Sequence, residues 1–311
     1  MSGMDAGDAT ASEAHTAHRS GMVTIVGRPN VGKSTLLNRL VGEKVAIVSD
    51  KPQTTRTRIL GVVTKPQGQI VLLDTPGIHK PQHEMNQRMV DTAVRSIEQV
   101  DLVLWLVDIT QPPGGGDAFV KQRLARARGP VLLGINKIDA VPKPRILPTI
   151  DAYRNMFDFL EIMPLSALGG ENVDLLAERL LAHLPEGPPL YPADYLTDQP
   201  ERFLVAEIIR ERILVRTHEE LPYSTGVVID GFAESPTLVR IHASIIVERP
   251  GQKGILIGRG GSMLKSVGTE ARRQIEALLG VKVYLELFVK VRPRWRENPS
   301  VLDEIGLGRK R

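Results

Sequence analysis

Eight residues near the start of the chain, Gly27-Arg28-Pro29-Asn30-Val31-Gly32-Lys33-Ser34, put two glycines, an ammonium and a hydroxyl at the spacing that wraps a polyphosphate. Gly27 and Gly32 let backbone N–H groups close on phosphate oxygens, and the helix predicted over Ser34 to Leu40 adds its positive end. Lys33 would neutralise the β- and γ-phosphates and the Ser34 hydroxyl would ligate Mg²⁺, with Thr35 next in the helix. The bare pattern arises by chance in on the order of one per cent of chains this long. Here it also lies between a predicted strand and a predicted helix, as the chemistry requires.

Four more motifs follow in order. Asp74-Thr75-Pro76-Gly77 comes about forty residues on; Asp74 would face the phosphates and hold Mg²⁺ through a water. Gly77, with no side chain, lets its N–H approach a γ-phosphate and lose that contact on hydrolysis. Asn136-Lys137-Ile138-Asp139 selects the base. The Asp139 carboxylate offers two acceptors to the N1–H and 2-amino donors of guanine, and adenine would leave it poorly paired. Lys137 would cover the ring and Asn136 would tie the loops together. Ser166-Ala167-Leu168 can present a backbone N–H to the guanine oxygen. Between the phosphate loop and Asp74, residues 44–58 lack a clear period and contain Thr54-Thr55-Arg56. Thr55 is the expected switch threonine for Mg²⁺ and the γ-phosphate, with Thr54 and Thr57 as alternatives. The expected catalytic set is thus Lys33, Thr55, Asp74 and Gly77. A second switch would run from Gly77 into a helix near Met85.

The elements that must position these residues are legible as apolar runs. Met22–Val26, Ile70–Leu73, Leu102–Val107, Val131–Ile135 and Glu161–Leu165 read as strands buried on both faces, as in a parallel α/β sheet. Each motif lies at or just beyond such a strand, where open α/β sheets bind ligands. The proline-rich stretch from Pro185 to Pro200 can neither continue a helix nor join a sheet and is expected to be a flexible linker. The expected units are a leader over 1–19, a nucleotide-binding domain over 20–184, a linker over 185–199, a second domain over 200–297 and a tail over 298–311.

Composition narrows the class. The chain has 311 residues and no Cys, which excludes disulfides and thiolate metal sites and suits a reducing cytoplasm. No apolar run approaches the ~18–20 residues that span a bilayer. The leader carries Asp5, Asp8 and Glu13 without an apolar stretch, so it is not a signal peptide, and its composition reads as disordered. Residues 200–311 hold 19 Lys or Arg against 14 Asp or Glu, so the basic surplus sits in the second domain.

That domain has a motif of its own. Gly258-Arg259-Gly260-Gly261, followed by a predicted helix from Lys265 to Leu279, fits the Gly-x-x-Gly loop of a KH domain, which clamps about four nucleotides of single-stranded RNA. Arg259 and Lys265 supply charge. A helix over Arg202–Arg216 and strands over Thr225–Phe232, Thr237–Val247 and Lys282–Val291 complete the pattern. Beyond the last strand, Arg292, Arg294 and Trp295 could meet phosphates and stack on a base; read alone, the segment is more readily a solvated basic tail.

Thr54-Thr55-Arg56, Asp74-Thr75-Pro76-Gly77-Ile78-His79-Lys80-Pro81 and the Gly-x-x-Gly domain together resemble the Era GTPase family over nearly the whole chain. The resemblance implies a Ras-like P-loop domain with a mixed, mostly parallel sheet, followed by an α+β KH domain. It implies GTP hydrolysis with Mg²⁺, binding of the 3′ end of 16S ribosomal RNA, in which the Arg292–Trp295 segment joins, and a role in small-subunit assembly and rRNA maturation. It also implies a monomer, and family members have been linked to the membrane surface. Where Ras-like proteins carry a water-orienting Gln, this chain has Ile78, which implies slow intrinsic hydrolysis. Asn30 matches a position that in related GTPases can coordinate K⁺. The alternatives are an RNA chaperone that binds GTP without turnover and a protein with tandem GTPase domains, which the single phosphate loop disfavours.

Overall fold

The computed structural model describes residues 18–219 and 221–308. Most of the expected leader and the last three residues lie outside them. The first unit is a six-stranded sheet in the order β2-β3-β1-β4-β5-β6. Its strands are β1 (Arg19–Val26), β2 (Ile59–Lys65), β3 (Gly68–Asp74), β4 (Leu102–Asp108), β5 (Val131–Asn136) and β6 (Glu161–Pro164). All neighbours pair in parallel except β2, which runs antiparallel to β3. Helices α1 (Lys33–Val41) and α5 (Val173–Ala182) cover one face; α2 (Glu84–Glu98), α3 (Gly115–Leu124) and α4 (Ile146–Arg154) cover the other. Burial on both faces explains why β3 and β4 are apolar without alternation.

The edge strand β2 was not among the expected strands. It directly follows the aperiodic switch segment, and only its pairing to β3 shows where the loop ends.

The segment expected to be a flexible linker is instead strapped to the sheet. The buried Gln69 side chain accepts the N–H groups of Leu190 and Tyr191 at 2.8 and 2.9 Å and donates to the Tyr191 carbonyl at 2.9 Å. Val62 N–H donates to Leu196 O at 2.9 Å and the Thr197 hydroxyl to Leu60 O at 2.6 Å. Tyr191 and Tyr195 stack at 4.8 Å. The prolines deny this stretch a ladder of its own, so side chains satisfy its backbone while it covers the exposed edge of β2.

The second unit pairs β7 (Gly226–Glu234) antiparallel to β8 (Leu238–Val247), and β8 parallel to β9 (Lys282–Val291). Helices α6 (Glu201–Arg216), α7 (Pro250–Ile257) and α8 (Ser262–Leu279) bury their apolar sides against one face of this sheet. The chain then turns back, and α9 (Pro299–Glu304) packs against α2 of the first unit.

Candidate nucleotide site and RNA interface

The loops at the carboxyl ends of β1, β3, β4, β5 and β6 surround a cavity of about 610 Å³, lined by Arg28 to Thr35, Gly77, Asn136, Lys137, Asp139, Ala167 and Leu168. Gly32 has φ +98° and sits against the Asn136 amide, so only glycine fits there. Lys33 is buried, with its ammonium donating to Arg28 O at 3.0 Å and Gly27 O at 3.4 Å. Burial pulls its pKa down to about 8 against the opposing pull of Asp74.

Three oxygens converge beside it. Ser34 Oγ donates to Asp74 Oδ2 at 2.6 Å and lies 2.7 Å from the Thr55 hydroxyl, which donates to the same carboxylate oxygen at 3.3 Å. Burial raises the Asp74 pKa, with Lys33, Ser34 and Thr55 opposing it, and Asp74 Oδ1 is buried with no partner. Two hydroxyls and a carboxylate with one unpartnered oxygen suit a hard cation such as Mg²⁺, and a cation there would reverse the upward shift. Of the three candidate threonines, Thr55 has its hydroxyl at this cluster. The Thr54 hydroxyl donates to Lys51 O instead, and Thr57 lies beside Gly306.

On the base side, Asn136 links two loops: its Nδ2 donates to Val31 O and its Oδ1 accepts Ala167 N–H, both at 2.8 Å. Lys137, at φ +68°, reaches Asp108 at 2.6 Å. Burial would raise Asp108, but hydrogen bonds from Lys137 and Thr110 outweigh it and hold the carboxyl below its ordinary range. Asp108, Thr110 and Gln111 line the cavity and escaped the sequence reading. The available signal was an Asp ending an apolar strand, as Asp74 does. Asp139 lies exposed at the cavity wall. The Ser166 and Ala167 N–H groups, expected to face guanine, are engaged by Glu171 O and Asn136. The Thr75 hydroxyl donates to Ile25 O and anchors the strand rather than facing the cavity.

Ile78 is fully buried among Val26, Leu73 and Trp105, and its N–H donates to Gly27 O at 3.0 Å. Its side chain fills core. Beside it, a Cβ on Gly77 would stand 2.7 Å from the Pro29 backbone, so glycine is what lets the second switch touch the phosphate loop.

Both switch segments are gripped by the second unit. Arg56, next to Thr55, donates to Thr225 O at 2.7 Å and to the carbonyls of Pro222 and Tyr223 at 3.4 Å. Arg210 donates to Thr54 O, and Glu211 accepts Val48 N–H at 3.0 Å and pairs with Lys44 at 2.6 Å. On α2, Arg88 donates to Asp303 at 2.8 Å and Leu307 O at 2.9 Å, while Met85 and Met89 pack on Ile246, Trp295 and Leu302.

Trp295, expected to stack on RNA, is a correction. It is wholly buried, its indole N–H donates to Ser224 O at 3.0 Å, and the Arg56 guanidinium lies 5.9 Å over its ring. A large amphipathic ring gains more from this pocket with a partner for its N–H than from the surface. Arg292 pairs with Glu304 at 2.6 Å, and Arg294, at φ +52°, is exposed on the turn that tucks the tryptophan in.

The Gly-x-x-Gly loop is presented openly. Gly258, Gly260 and Gly261 have φ of +74°, +57° and +80°, and a Cβ on Gly260 or Gly261 would meet nothing within 4 Å. Arg259, within the loop, and Lys265, just beyond it, are exposed. Backbone can therefore be approached closely there, with cations at hand.

Known proteins share this arrangement. A family model described as 50S ribosome-binding GTPase matches residues 22–137, and a KH domain model matches residues 220–296. The GTPase Era of Heliobacterium modesticaldum is 52% identical over 94% of this chain and 98% of its own. That of Geotalea uraniireducens is 53% identical over 93% and 97%. A solved Era in complex with MgGDPNP and nucleotides 1506–1542 of 16S ribosomal RNA superposes with a TM-score of 0.91 at 43% identity, covering 94% of this chain and 99% of that one. A variant Era of Aquifex aeolicus bound to GDP and AlF4⁻ gives 0.89 at 42% identity, covering 93% and 99%. With the phosphate loop, the Asn136–Asp139 turn and the open Gly-x-x-Gly loop on one chain, and with relatives this similar along its length, the chain belongs to the Era family of GTPases, a GTPase domain followed by a C-terminal KH domain.

Proposed function

We propose that the protein is a GTP-hydrolysing switch that binds the 3′ end of 16S ribosomal RNA and acts in small-subunit assembly and rRNA maturation in the cytoplasm. The observation that carries the reading is the direct hold of the KH domain on both nucleotide-sensing segments, above all Arg56 beside Thr55. The 16S fragment in the related complex supports the choice of RNA. RNA contact falls to Gly258 to Gly261 and Lys265, with Arg292 and Arg294 at the rim.

In hydrolysis the chain's own residues bind and orient. The phosphate-loop amides and Lys33 hold the phosphates, and Gly77 reports the γ-phosphate. Mg²⁺ would be held by Ser34, Thr55 and Asp74 and supplies positive charge to the phosphates. Asn30, at φ +64° with its amide 2.5 Å from Asp50 O, would take K⁺ beside them. Asp139 reads guanine. Since Ile78 is core, no side chain at that position orients the attacking water. That burial favours the second reading, an assembly factor that holds GTP with scarcely any turnover. We further propose a monomer that associates peripherally with the membrane; no helix among the described residues is long and apolar enough to cross one.

Multiple-turnover phosphate release, with and without RNA carrying the 16S 3′ end, separates the readings. RNA-stimulated turnover is expected. Single-equivalent release under both conditions would leave only the binding protein, and no RNA binding would remove the ribosomal assignment.

A further inference from the structure

The sequence carries a run, Pro112-Pro113-Gly114-Gly115-Gly116-Asp117, that none of the nucleotide or RNA motifs uses. In the structure it forms the start of α3, and it holds the phosphate loop from outside. Asp117 is wholly buried, and its Oδ2 accepts the Gly114 N–H at 3.0 Å and pairs with Arg28 Nη1 at 3.2 Å. The other end of the guanidinium donates to Gln111 Oε1 at 2.9 Å. The Arg28 stem reaches this pair by crossing Gly116, where an added Cβ would stand 2.6 Å from Arg28 Cδ. Arg28 therefore turns toward α3, and what it offers the nucleotide side is backbone: its carbonyl accepts the Lys33 ammonium at 3.0 Å. The next residue, Pro29, is the one against which Gly77 rests.

We infer that Asp117 is a positioning residue for GTP hydrolysis, acting through Arg28. A buried carboxylate paired with a guanidinium of fixed planar geometry sets the height of the loop at residues 28–29. That height fixes both the Lys33 ammonium and the γ-phosphate side of Gly77. Guanine recognition, at the opposite end of the cavity, does not depend on it. The lock thus bears on the transition state more than on ground-state affinity, because small misplacements of preorganised groups cost rate steeply.

The test uses the full chain with GTP and Mg²⁺ under single-turnover conditions. Asp117→Asn keeps the shape and an acceptor for Gly114 but removes the charge. It is expected to slow hydrolysis on the order of tenfold while the GTP dissociation constant moves less than about threefold. Arg28→Ala should do the same, and the double variant should be no slower than the worse single one, as expected for two groups acting as a unit. Gly116→Ala displaces the Arg28 stem without touching any charge and should reproduce the defect with the unfolding midpoint kept, since alanine favours the helix. Gly115→Ala, whose Cβ would meet nothing within 4 Å, should hydrolyse at the parent rate. Parent rates in both Asp117→Asn and Gly116→Ala, additive losses in the double variant, or a loss of GTP affinity equal to the loss of rate would each overturn the inference. Should Asp117→Asn fail to fold, Gly116→Ala decides alone.

Discussion

At the scale of single residues, the site divides into groups that touch the nucleotide and groups that hold those groups still. Asp139, exposed at the cavity wall, is proposed for the first. Asp139→Asn should weaken GTP binding and improve binding of xanthosine triphosphate, whose base turns one donor into an acceptor; a competition titration with unchanged preference would remove Asp139 from base selection. Ile78 belongs to the second. Its motif position invites a catalytic reading, yet the side chain is wholly buried in the core. Ile78→Ala should therefore cost about 2–5 kcal/mol of stability by opening a cavity, and Ile78→Gln should destabilise by burying an amide rather than create a faster enzyme. Denaturant unfolding beside single-turnover rates checks both; a stable Ile78→Gln protein with accelerated hydrolysis would show that the side chain can reach the water.

At the scale of elements, what was legible followed hydrophobic period and motif spacing. The strands β1, β3, β4, β5 and β9 are continuous or alternating apolar runs bounded by turn residues, so their positions could be read directly. Three features were not legible, each because a distant partner decides it. The strand β2 is defined by its ladder to β3. The segment over 185–199 has the composition of a loose linker, but Gln69 and the edge of β2 hold it down. Trp295 looks like a surface stacker among arginines until Arg56, Ser224 and α2 close over it. Helix α6 supplies a testable case of such a partner. Glu211 is buried; burial raises its pKa, but Lys44, the Val48 N–H and Arg212 outweigh this and hold it below the ordinary 4.5. A carboxyl with a lowered folded pKa contributes its stability fully above the ordinary value and loses it as pH falls through the folded one. Glu211→Gln should therefore unfold more easily than the parent at about pH 7, with the difference shrinking on acidification below the ordinary carboxylate range. A gap that stays constant with pH would mean that the charge of Glu211 contributes nothing to holding the first switch.

At the scale of the whole molecule, the two units meet through the segments proposed to sense the nucleotide. Arg56 and Glu211 tie the first switch segment to the second unit, while Arg88, Met85 and Met89 tie the second to α9 and Trp295. With the strap over 185–199 fixed to the sheet, a shift at Thr55 has a rigid contact to work against rather than a slack tether. A ligand moves such an equilibrium only by its differential affinity for the two states, and the coupling is reciprocal. RNA carrying the 16S 3′ end should thus bind the GTP and GDP forms with different affinities, tighter for GTP, and should tighten GTP binding by the same factor. Couplings of ~1–3 kcal/mol correspond to about 5–150-fold. Replacing Gly260 and Gly261 with Asp should abolish RNA binding and leave GTP affinity without RNA nearly unchanged, because the loop is open and does not line the cavity. Arg56→Ala should do something different: keep both affinities measurable but bring the coupling factor toward one, since it releases three carbonyls and the Trp295 ring without touching a phosphate. RNA titrations in each nucleotide state at one fixed salt concentration give all of these values. Equal affinities in the parent protein would make the two units independent binders, and a full coupling factor in Arg56→Ala would move the linkage to the α2 side of the interface.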